Sequence, residues 1–167
     1  MTPDEQNAFL SMEYAEAIRY MNNATETLKR AGKQSEGRYK DEKYVKSACG
    51  IAHLGVLVAL DAWLAIKEVP EPSKKKRKSI SYYTDNIAKI DKKMCDLLID
   101  AYNVIHLSGY YDGVCRVKVI EDGFDVAYEI IEKIKPEVFV EVPETRGGKI
   151  KIAWDRLMIS LAVMFNF

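Results

Sequence analysis

The stretch "AYNVIHLSGYYDGVCRVKVIEDG", residues 101–123, gathers many of the side chains in this sequence that could do chemistry. It carries Asn103 and His106, then Tyr110, Tyr111 and Asp112, then Arg116 and Lys118. An imidazole near its unperturbed pKa exchanges a proton at neutral pH and can serve as general acid or base. A guanidinium offers a fixed, bidentate counter-charge to a phosphate. Tyrosine faces accept any nucleobase by stacking. The stretch therefore reads either as an active or ligand-binding site or as the bend between two helices. On the second reading His106 bonds the exposed carbonyls of a helix end. Tyr110 and Tyr111 then pack over the end of a bundle, and Asp112-Gly113 is a turn. Asp112 and His106 could form a hydrogen-bonded pair, but two donors make a poor metal site, so no metal is expected.

Other reactive side chains are scattered. His53 lies in an apolar segment and reads as a core histidine. Asp61 interrupts the same segment, and a buried carboxylate needs partners, for which Arg19, Arg116 or a tyrosine hydroxyl could serve. "KKKRK", residues 74–78, would suit phosphate contact but reads first as a solvated loop or frayed helix start. Cys49, Cys95 and Cys115 form no CxxC pair, which predicts free thiols in a reducing cytoplasm. There is no GxGxxG, P-loop, HExxH or nucleophile elbow, and no cofactor is expected.

The elements that must position these groups are helices. "TPDE" at residues 2–5 is a capping box with proline at the first helical position. Leu10, Tyr14, Ala17, Met21, Ala24, Leu28 and Ala31 follow in steps of four and three, and Gly32 ends the face. After a polar loop, Asp41 and Glu42 open a second helix that runs to Pro70. Its middle is apolar on nearly every side, which predicts a central position. Its small residues (Ala48, Gly50, Ala52, Gly55, Ala59) would let neighbours approach closely. Tyr83, Ile87, Ile90, Met94, Leu97, Ala101 and Val104 predict a single third helix that stops near Ser108-Gly109. Val117, Ile120, Phe124, Ala127, Ile131 and Ile134 predict a fourth that stops at Pro136.

Four amphipathic helices joined by modest loops predict an all-α antiparallel up-down bundle over residues 1–136. Residues 137–167 differ. "VFVEV" and "KIKIA" flank "PETRGG" as a small hairpin, and "WDRLMISLAVMFNF" reads as a short helix too apolar to stand without a partner. This extension is expected to pack on the bundle or on a partner. A chain of 167 residues that is 48% hydrophobic can build one core, and its 25 basic and 25 acidic residues cancel, so no overall nucleic-acid footprint is present. "MTPDEQNAFL" has no cationic segment followed by an apolar one. The apolar run at residues 51–66 is short for a membrane span and contains His53 and Asp61, so a cytoplasmic chain is expected.

The order of elements, with "EYAEAIRYMNNATETLKRAG", "AYNVIHLSGYYDG" and "FDVAYEIIEKIKP", resembles the HEPN-like helical bundles over roughly residues 8–136. Those are associated with prokaryotic nucleotidyltransferases and toxin–antitoxin pairs, and the chain is similar to small uncharacterised members from Bacteroidetes. In HEPN ribonucleases an arginine precedes a histidine by four to six residues, often with an asparagine directly after it. The resemblance implies that the two act on RNA phosphodiesters across a dimer cleft. Asn103 and His106 fit that asparagine and histidine. Ile99, Asp100 and Ala101 hold the positions where the arginine would fall, and Tyr102 precedes Asn103; none is cationic. Losing that guanidinium would cost roughly a hundredfold or more in rate.

The resemblance with its incomplete motif implies a non-catalytic interaction or accessory module. A homodimer is expected, with a nucleotidyltransferase-like protein, a toxin-system component or a nucleotide as further partner. An RNA-cleaving enzyme would instead use His106, with Arg116 or Lys118 in the arginine's place. A small nucleotide-binding bundle would use a pocket lined by Tyr102, Tyr110 and Tyr111.

Overall fold

The structure is a computed structural model that describes residues 1–72 and 78–137. The described residues are all-α, with no strand among them. The first helix, α1 (Pro3–Lys29), begins at the capping box: Glu5 N–H donates to Thr2 Oγ1 at 3.3 Å and Thr2 N–H donates to Glu5 Oε2 at 2.8 Å. Its buried Ala17, Met21, Ala24 and Leu28 are residues the periodicity selects; Ser11, which it does not, is buried too, with its hydroxyl donating to the Asn7 carbonyl at 2.8 Å. Gly32, at φ +61°, takes the left-handed conformation that turns the chain back.

The second helix, α2 (Glu42–Ile66), starts where Lys43 N–H donates to the Asp41 side chain at 2.9 Å. It packs against α1, the segment after residue 101 and the last helix, which makes it the centre of the core. Its small residues let the neighbours in. A Cβ built on Gly55 would lie 3.1 Å from Tyr20 Cβ and 3.2 Å from the Ala17 carbonyl oxygen. Counted from Glu42, α2 is long and apolar enough to cross a membrane by length and composition, which the shorter run at residues 51–66 did not suggest. Half of its most apolar window is nonetheless buried against the rest of the protein.

The expected single third helix is three pieces: α3 (Ile80–Ile87), α4 (Lys92–Ala101) and a π-helix (Tyr102–Tyr111). The first break has a side-chain cause. Asp91 accepts from Met94 N–H at 3.0 Å and so starts a new helix. Ile90, which periodicity assigned to the core, is 45% exposed in the turn before it. The second correction is the end. The chain does not stop at Ser108-Gly109 but continues in a wider turn, and Asp112 N–H donates to the Leu107 carbonyl at 2.9 Å. Gly109 lies against α2 so closely that a Cβ there would overlap Cys49 Sγ.

Helix α5 (Val117–Glu132) buries Ile120, Phe124, Ala127, Ile130 and Ile131 as expected. It crosses the π-helix at Gly123, where a Cβ would come 2.6 Å from Val104 Cγ1. An isolated bridge between Lys33 and Tyr39 closes the loop after α1, and a second, Arg38 with Arg116, ties that loop to the start of α5. Cys49, Cys95 and Cys115 are free and buried. The expected hairpin at residues 138–153, the apolar segment at 154–167 and the lysine run except Lys78 lie outside the described residues.

Candidate functional site

The π-helix and the middle of α2 bring five rings together. His106 sits 4.9 Å from Tyr102 and 5.7 Å from Tyr110, ring centre to ring centre, with interplanar angles of 24° and 27°. These residues recur every four positions along one helical face, so Tyr102, His106 and Tyr110 form a stacked ladder. Tyr111 meets His106 edge-on at 5.6 Å. From α2, His53 closes the other side, its ring 4.4 Å from that of His106 and 6.2 Å from that of Tyr102. Gly50, one turn before His53, leaves room for Tyr110: a Cβ there would lie 3.2 Å from the tyrosine ring.

The two imidazoles are held neutral. Burial lowers the His53 pKa to about 4, and the neighbouring His106 adds to that shift. Burial lowers the His106 pKa as well. Among the described residues His106 takes no hydrogen bond and no ion pair; its neighbours are aromatic rings and the other imidazole. It therefore does not cap a helix end, and it does not pair with Asp112. His53 is not a satisfied core histidine but half of this pair. No local spacing in the sequence joins His53 to His106, since the two lie on different helices.

The other expected site residues divide. Asn103 is exposed on the π-helix, and Tyr110 and Tyr111 are 46% and 66% exposed. Asp112 is exposed and ends the π-helix. Arg116 is exposed at the N-cap of α5, where its backbone pairs with Arg38. Lys118 forms an ion pair with Asp122 one turn along the same helix. Leu54 and Leu107, next to the two histidines in sequence, are also exposed. Among the described residues no group of three or more potential ligands could hold a metal ion.

Asp61 has the tyrosine partner that its position requires. Tyr83 Oη donates to its carboxylate at 2.9 Å, and Lys78 Nζ lies 3.0 Å away while also pairing with Glu71 at 2.9 Å. Burial and the Asp61 charge push the Tyr83 hydroxyl well above its ordinary pKa. The arrangement is a brace between α2 and α3.

The profile of a family described as a domain of unknown function, DUF5618, matches residues 12–136, from the first turns of α1 to just past α5. The chain belongs to this family. A solved structure, a protein of unknown function from Dyadobacter fermentans, shares 37% sequence identity with it at a TM-score of 0.68. That match covers 76% of this chain and 97% of the other. No curated protein matches the chain. The DUF5618 match contains all five rings of the cluster, both glycines that admit them and the whole π-helix.

Proposed function

We propose that the chain is a non-catalytic interaction or accessory module of the HEPN-like type, a helical bundle that self-associates or docks a partner through its aromatic face. The observation that carries this reading is the surroundings of His106: neutral imidazole and tyrosine rings, with no guanidinium or ammonium against them among the described residues. Phosphodiester cleavage needs charge stabilisation where the transition state gathers negative charge. Lys118 is paired with Asp122, and Arg116 stands exposed at the N-cap of α5, where, among the described residues, no contact joins its guanidinium to the His106 ring. The exposed rings of Tyr110 and Tyr111 instead suit protein contact, where tyrosines anchor the centre of an interface. A nucleotidyltransferase-like protein or toxin-system component fits the HEPN-like resemblance as heterologous partner.

Sedimentation equilibrium on the full chain tests this. The wild type is expected at twice its 19.0 kDa chain mass, and Tyr110→Ser/Tyr111→Ser at the single mass. A monomeric wild type, or a double variant that remains dimeric, would rule out self-association through this face.

A second reading has its own support. The ladder Tyr102–His106–Tyr110 is nearly parallel, and its last ring is half exposed, so a nucleobase could extend the stack. Quenching of tyrosine fluorescence by adenosine monophosphate, absent in Tyr110→Ser, would favour this reading over protein docking.

A further inference from the structure

A separate groove of about 560 Å³ lies between the last turns of α1, the loop that follows and α5. That volume is within the range of small-ligand sites. Its floor is apolar and aromatic: Leu28, Tyr39 and Phe124 are buried, and Tyr128 is half-buried. Its rim carries Lys29, Lys33, Glu121 and Asp125.

The rim charges are not equivalent. Lys29 is engaged with Glu26 at 2.6 Å, and Lys33 with Glu121 at 2.6 Å. Lys118, whose ammonium also feels Asp125, is engaged with Asp122. Asp125 takes no ion pair or hydrogen bond among the described residues, and the Lys118 ammonium, itself paired with Asp122, only partly offsets its charge. The Lys33 ammonium also stands 6.0 Å from the centre of the Tyr39 ring. A cation of the protein's own thus rests between a carboxylate and an aromatic ring, the arrangement that recognises organic cations. Burial, followed by the charge of Glu121, pushes the Tyr39 hydroxyl up to about 12, so that ring stays neutral.

We propose that this groove binds a small organic cation, an ammonium or guanidinium on an apolar or aromatic body. Asp125 is its counter-charge, Tyr39, Phe124 and Tyr128 are its wall, and Lys33 competes with it for Glu121. An anionic ligand fits poorly, because both rim lysines are already engaged and Asp125 would repel it. A bare metal cation would leave the aromatic wall unused.

Isothermal titration of the full chain with phenethylammonium tests the proposal, with 3-phenylpropionate and methylammonium as comparisons. Phenethylammonium should bind at least about tenfold more tightly than either. Asp125→Asn should weaken it by about tenfold, and Lys33→Met should tighten it several-fold by freeing Glu121. Asp125 and Lys33 are exposed, and an unchanged thermal midpoint verifies that each variant folds. Equal affinity for the carboxylate, an Asp125→Asn variant that binds as well as wild type, or no binding by either wild type or Lys33→Met would overturn the assignment.

Discussion

The imidazoles of His53 and His106 face one another at 4.4 Å, so a proton on either would place a charge beside the other, out of water. Both folded-state pKa values lie below the ordinary histidine value, so between that value and the folded one the unfolded chain binds more protons. The stability these rings contribute is therefore present above about pH 6.5 and lost as pH falls toward 4. For His53 the loss between pH 7 and pH 5 is about 2 kcal/mol, and urea unfolding of wild type beside His53→Gln should show that extra acid sensitivity only in the wild type. Equal pH dependence in both would mean that the pair is not held neutral. At this scale the sequence was partly legible. One carboxylate in an apolar helix called for a partner, for which Arg19, Arg116 or a tyrosine hydroxyl could serve; Tyr83 supplies the hydroxyl, while Arg19 pairs with Glu16. The partner of His106 was not legible, because His53 lies on another helix and no local spacing joins them.

Among the elements, the π-helix decides which rings can meet. Its wider turn keeps Tyr102, His106 and Tyr110 on one face and brings Tyr111 in edge-on. Gly109 lets it approach α2 at Cys49. Gly109→Ala should destabilise the protein by about 1–3 kcal/mol, as overpacking of a closed contact does, with a matching fall in the urea midpoint. Adding Cys49→Ala should recover part of that loss, because the clashing sulfur is gone; no recovery would place the strain elsewhere. Helices α1 and α2 were legible because capping residues and three-four spacing agree over many turns, and α5 because its spacing runs unbroken to the stop at Pro136. The third was misread because a continuous apolar stripe cannot reveal that Asp91 caps a new helix in its middle. A π-helix has no pattern of its own to find, since apolar residues at steps of four and three suit both helix types over so short a span.

For the whole molecule, α2 is the hub on which α1, α5 and the π-helix pack, and the aromatic face opens where the π-helix meets it. The DUF5618 match spans this assembly, so the face belongs to the shared part of the family and not to residues 137–167. Among the described residues no guanidinium or ammonium lies against these rings, and the proposed role rests on the area and stacking the face offers in place of a fixed cation. The most direct measurement is incubation of the purified full chain with total RNA beside His106→Ala. The account predicts intact RNA with both proteins. Cleavage by the wild type that disappears in His106→Ala would contradict it, because that ring would then be working as an acid or base and not as a surface.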